Sequence, residues 1–157
     1  MIGALAFSKC TSLISIIIPD SVILIAEGAF SKCTSLISII IPDSVIKFGY
    51  VPARNYYGGH LSDGAGISYT NTVYTAPDKN SDSESTDGIF YGCISLQSVV
   101  IGNGVILLPM FLFNGCVSLT TVIIGSSVKY IKSYAFNRCS SITSFVVPIM
   151  LFMNVHH

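Results

Sequence analysis

The chain has 157 residues, with eight Lys and Arg against eight Asp and Glu and a formal net charge of zero. It is 51% apolar and only 10% charged. A neutral, charge-poor chain has no electrostatic footprint for nucleic acid. No apolar run approaches the ~18 residues of a membrane span, because stretches such as 14–19 and 105–113 are broken by polar or helix-breaking residues. One domain is the expectation at this length, and no basic segment followed by an apolar stretch marks a signal peptide after Met1.

In chain order, the sequence opens partway through a repeat, since 2–7 aligns with 25–30. Residues 6–23, AFSKCTSLISIIIPDSVI, return letter for letter at 29–46, 23 residues later. Looser copies start at Phe90, Phe113 and Phe136, again 23 apart. Self-similarity at this period predicts a solenoid, in which no copy buries its apolar face alone and stacked copies share one core.

Alignment of the five copies gives columns. Phe7, Phe30, Phe90, Phe113 and Phe136 form one; Cys10, Cys33, Cys93, Cys116 and Cys139 follow three residues on. A Ser column starting at Ser12, which we expect to hydrogen-bond backbone between coils, precedes an apolar column, Leu13, Leu36, Leu96, Leu119 and Ile142. Two more apolar columns, Ile16/Ile39/Val99/Val122/Phe145 and Ile18/Ile41/Ile101/Ile124/Val147, are two residues apart, so a strand points both to one face. Pro19, Pro42, Gly102, Gly125 and Pro148 then end the strand. The Phe-to-Cys spacing of three suits a short helical or 3₁₀ corner.

After Val45 the next Phe is due at position 53 but arrives at Phe90, so the chain carries an insert, residues 50–87. It holds Tyr50, Tyr56, Tyr57, Tyr69 and Tyr74, a strand-like run 67–75 (ISYTNTVYT) and an acidic polar run 77–88. Repeats therefore occupy 1–49 and 88–148, and 149–157 (IMLFMNVHH) forms a non-repeat tail.

The pattern A-F-x-x-C-x-S-L-x-x-I-x-I-P-x-S-V-x-x-I resembles the BspA-like leucine-rich repeat class, found in bacterial and protozoan surface proteins. Ser21, Ser44 and Ser127 stand where such repeats usually carry an Asn ladder, and Gly104 interrupts that column. The resemblance implies a right-handed, β-dominated α/β solenoid with a parallel sheet on one face. It also implies adhesion or protein binding, a surface or secreted location, and no catalysis.

Chemistry-bearing motifs are scarce. The five cysteines follow the repeat period, without C-x-x-C or paired Cys/His clusters, and are expected to be reduced, buried and inert. Asp78-x-Asn80-x-Asp82 starts like a calcium loop, but Ser83 replaces its glycine and Ile89 stands at the bidentate Glu position. His60 has no marked nucleophile partner. No catalytic residue, metal site or cofactor is expected.

Residues between the core positions must face outward, giving an apolar stripe, Ile17, Ile40, Val100, Ile123 and Val146. Beside it lies a hydroxyl stripe, Ser15, Ser38, Ser98, Thr121 and Ser144. At the spacing of parallel strands the pair runs about 20 Å. The bland reading is that β-branched residues favour strands; the sharper one is a protein-binding surface. The leading expectation is thus a non-enzymatic interaction module, with a host or extracellular-matrix protein as partner. It would use this face, the insert tyrosines (Tyr56, Tyr57, Tyr69 and Tyr74), or both. Alternatives are a segment that self-assembles through uncapped ends, making a homo-oligomer, and a carbohydrate-binding module that stacks sugars on those tyrosines.

Overall fold

The computed structural model describes residues 1–49 and 88–147, which lie in one compact unit formed by Met1–Tyr50 together with Asp87–His157. The expectations for the insert, with His60 and the calcium-like run, and for the tail lie outside the described residues.

Alternating apolar residues build the main sheet. Four parallel strands, β2 (Ser38–Ile41), β4 (Ser98–Ile101), β6 (Thr121–Ile124) and β8 (Ser144–Val146), lie in the order β2-β4-β6-β8. Their register follows the repeat, Ile39↔Val99↔Val122↔Phe145. Ile39, Ile41, Val99, Ile101, Val122 and Ile124 point inward and are buried. A second, narrower ladder follows the Pro/Gly turn: β1 (Leu24–Ile25) pairs with β3 (Lys47–Phe48), and β5 (Leu107–Leu108) pairs with β7 (Tyr130–Ile131). Between the two ladders lie Phe30, Phe90, Phe113, Leu36, Leu96, Leu119 and Leu108, all fully buried.

The first coil departs from the expected pattern. Residues 15–18 spell SIII, as β2 does, yet they form no strand. The coil meets its neighbour at the Ile37 N–H to Ile14 carbonyl (3.0 Å), the Ile46 N–H to Ile23 carbonyl (3.0 Å) and the parallel Ile2↔Ile25 bridge.

The corners are not helical. Each is a chain of i, i+3 hydrogen bonds, as from the Cys33 N–H to the Phe30 carbonyl at 3.2 Å. Left-handed residues interrupt it in two columns: Leu5, Gly28, Phe111 and Tyr134 in one, Lys9, Lys32, Gly92, Gly115 and Arg138 in the other, with φ between 58° and 80°. Helix needs successive negative φ values, so the reversal at these columns turns a 3₁₀-like start into a bend.

Ring stacking and thiol hydrogen bonds join coil to coil. Phe7, Phe30, Phe90, Phe113 and Phe136 stack with centroids 5.1–5.3 Å apart and planes within 17° of parallel. Cys33, Cys93, Cys116 and Cys139 donate from Sγ to the carbonyls of Phe7, Phe30, Phe90 and Phe113 at 3.0–3.2 Å. The inter-coil role expected of the Ser12 column is filled here by these thiols and by Ser44, Thr120 and Thr143, whose hydroxyls donate to Val22, Gln97 and Thr120 carbonyls. At the turn edge, the Asn103 N–H donates to Asp43 Oδ1 (2.7 Å), and the Ser126 N–H to Asn103 Oδ1 (2.9 Å).

All five thiols are free, but Cys10 is exposed rather than buried, because no described coil lies outside it. Burial pushes the Cys33 thiol up, Cys93 to about 12 and Cys139 to about 11, and raises Cys116 too.

The insert enters where a coil ordinarily has one residue. The Ala26 N–H bonds the Ile2 carbonyl and the Gly49 N–H bonds the Ile25 carbonyl, so Gly49 takes the place of Ala26. Gly88 falls in the Gly28 column, which leaves only the Glu27 position for residues 50–87. The stack does not register the interruption: Phe30 and Phe90 lie 5.3 Å apart.

Two measurements check this account. Gly92 is left-handed at φ 68°, with room for a Cβ 3.5 Å from Lys32 Cγ, whereas a Cβ on Gly104 would strike the Asp43 and Val45 carbonyls. Gly92→Ala should therefore cost about 1–2 kcal/mol, the penalty of a left-handed L-residue, and Gly104→Ala distinctly more; chemical denaturation of both variants checks the order. A thiol raised above its ordinary value of 9.0 favours the folded state below that pH and loses the contribution as pH climbs to about 12. Unfolding free energy should therefore drop less steeply above pH ~9 in Cys93→Ala than in the parent chain.

Candidate functional site

The outward side of the main sheet is an extended surface built by the repeat itself. Because each strand alternates, Ser38, Ser98, Thr121 and Ser144 pair in one row and Ile40, Val100, Ile123 and Val146 in the next but one. The second row is apolar and solvent-facing: Ile40 is 65% exposed, Ile123 39% and Val146 50%, with Val100 half-buried between them. No side chain in either row carries a charge.

A third row lies just before the strands, Ile37, Gln97, Thr120 and Thr143. It was absent from the predicted stripes because it precedes the alternating positions, although its 23-residue period was there to find. Thr120 and Thr143 spend their hydroxyl protons on the preceding coil's carbonyls, which leaves these hydroxyls acceptor capacity only. This third row is graded, with Ile37 in the second coil and amide and hydroxyl groups, Gln97, Thr120 and Thr143, from the third onward.

Eight of the ten predicted face residues come together on this sheet. Ser15 and Ile17 do not, since their stretch lies outside it; Ile17 stands 91% exposed beside the sheet edge. Tyr56, Tyr57, Tyr69 and Tyr74 lie outside the described residues. A separate aromatic group occupies a corner, where Phe111 and the exposed Tyr134 stack at 5.5 Å and 8°. Among the described residues there is no cluster of three or more His, Cys, Asp or Glu able to hold a metal, and no helix long and apolar enough to cross a membrane.

If the apolar row faces solvent, it tolerates charge. Ile40→Lys and Ile123→Lys should each shift stability by no more than about 0.5 kcal/mol. Ile41→Lys or Leu119→Lys would bury an unpaired charge and should abolish cooperative folding. Thermal melts followed by circular dichroism separate the two pairs, and unfolding by Ile40→Lys would contradict the assigned face.

Comparison with known proteins places this architecture. The model for the BspA type leucine rich repeat region matches residues 1–52 and 81–153, in six copies. Two solved structures are similar to the chain. A leucine-rich repeat protein from Bacteroides ovatus is 31% identical with a TM-score of 0.48, over 87% of this chain and 31% of that one. A leucine-rich cell surface protein from Faecalibacterium prausnitzii is 25% identical with a TM-score of 0.47, over 83% and 31%. The chain thus spans about a third of the length of either protein. No curated protein matches it. With the family model covering well over half of its residues, and a phenylalanine stack and parallel sheet repeating at the same period, the chain belongs to the BspA-type leucine-rich repeat family.

Proposed function

We propose that the chain is a non-enzymatic protein-binding module of the adhesion type, working outside the cell or at its surface. Its binding surface is the outward face of β2-β4-β6-β8. The observation that carries this reading is the uncharged row Ile40, Val100, Ile123 and Val146, held solvent-facing beside hydroxyl rows. A strand fold alone needs inward β-branched residues; an isoleucine 65% exposed at the centre of a coil face contributes little to the core. Apolar surface of this kind is favourable to cover, and the flanking hydroxyls give the direction that an apolar stripe lacks. With no charge in the contact, binding should change little between low and high salt.

The test is binding of the whole chain to a panel of immobilised extracellular-matrix proteins, with a glycan array alongside. The proposal expects a matrix protein to bind, salt to matter little, and Ile40→Lys and Ile123→Lys to weaken binding at least tenfold while melting normally. Binding unaffected by either substitution would refute the face, and binding to glycans alone would favour a carbohydrate module.

A second reading rests on a different observation. Leu5, Ile14 and Ile17 on the first coil and Tyr130, Tyr134 and Phe145 at the other end are exposed, which favours association of copies through the outer coils. Sedimentation over a wide concentration range tests it, and a monomer throughout would dismiss it.

A further inference from the structure

The junction between the second and third coils is bonded on one side only. On the main-sheet side β2 and β4 pair over four residues, and the Gly102 N–H donates to the Ile41 carbonyl at 2.8 Å. The corners are bonded too: the Lys32 N–H donates to the Tyr91 carbonyl at 2.7 Å, and Cys93 Sγ to the Phe30 carbonyl at 3.1 Å. On the second-ladder side β3 pairs with β1 and β5 with β7, but β3 does not pair with β5. Among the described residues no hydrogen bond joins 45–49 to 105–109.

The sequence supplies a reason. The repeat register puts Ala26, Gly49, Pro109 and Lys132 in one column. Three of these residues donate their N–H to the preceding coil, Ala26 to Ile2, Gly49 to Ile25 and Lys132 to Leu108, at 2.9–3.0 Å. Pro109 has no N–H to give the Phe48 carbonyl. Strand residues bond their two neighbours alternately. Because Gly49 bonds the first coil and the Ile106 and Leu108 carbonyls accept from the fourth, the Phe48 and Leu107 N–H groups face the unbonded seam. Beneath it lie Phe48 and Leu108, both buried in the core. Apolar contact has no preferred direction, so it holds the seam shut without fixing its geometry.

We propose that this seam is a hinge: the second-ladder side of the second and third coils opens and closes, while the main sheet and the ring stack stay joined as its spine. Residues 1–49 and 88–147 then tilt against each other about a line between β2 and β4, which changes the angle between the parts of the outward face that carry Ile40 and Val100. Local opening draws on stretches with few backbone bonds, and this one lies in the middle of the stack. Proline at 109 is the device, because it withholds a donor that every other residue in its column supplies.

Amide hydrogen exchange of the full chain, resolved by NMR, tests the hinge. The Phe48 and Leu107 amides should exchange about tenfold faster or more than those of Gly49 and Lys132. Pro109→Ala restores the missing donor, so its new amide should be protected and exchange at Leu107 should slow toward that of Lys132. The Gly49 and Lys132 rates should stay where they are, whereas a general change in stability would move all of them together. Phe48 and Leu107 as well protected as Gly49 and Lys132 would overturn the proposal, as would unaltered exchange at Leu107 in Pro109→Ala.

Discussion

The phenylalanine stack is the interaction on which the rest of the structure depends. Four successive ring pairs, 5.1–5.3 Å apart, run through every described coil. Each pair adds about 0.5–1.5 kcal/mol beyond the burial of its rings, and the spacing lies close to the ~4.8 Å between parallel strands. Ring stack and sheet can therefore share one rise per coil. The carbonyls of the same phenylalanines accept the thiols of the next coil, so one residue type supplies both a ring contact and a hydrogen bond across each junction. The arrangement also explains the choice of cysteine: a small, weakly polar side chain fits a dry core and still donates.

A near-translational stack turns each position into a row. Inward, this produces the continuous core of Leu36, Leu96 and Leu119; outward, the same rule lines up Ile40, Val100, Ile123 and Val146. The candidate face is therefore a consequence of the repeat, and its chemistry follows from substitutions that leave the stack untouched. Its gradation from Ile37 to Gln97, Thr120 and Thr143 arises at positions that bear no load in the core.

The columns made most of this legible. The two-residue spacing of Ile39 and Ile41 located the main sheet, its inner side and its outer rows. The left-handed columns inside the corners were not legible from the Phe-to-Cys spacing of three, which reports neighbours along a turn and nothing about the sign of φ. Glycine at 28, 92 and 115, alternating with Lys32 and Phe111 in the same two columns, was the available signal. The state of the first coil was not legible at all: 15–18 and 38–41 are the same four letters, yet only the second forms a strand. Cys10 and Cys33 stand in the same column with the same neighbouring letters, yet only Cys33 is buried.

The central claim is that Phe30 and Phe90 belong to consecutive coils, so that residues 50–87 occupy the place of one ordinary residue. Loop length costs little once the ends are fixed, about 0.6 kcal/mol per doubling, so a continuous stack can carry a long excursion. The most direct measurement is to replace residues 50–87 with a single Glu, the residue at position 27 of the preceding coil, and to follow unfolding by circular dichroism. The account predicts a retained β signal and one cooperative transition at or above the parent midpoint. Loss of that transition would show that the two blocks of repeats do not stack directly.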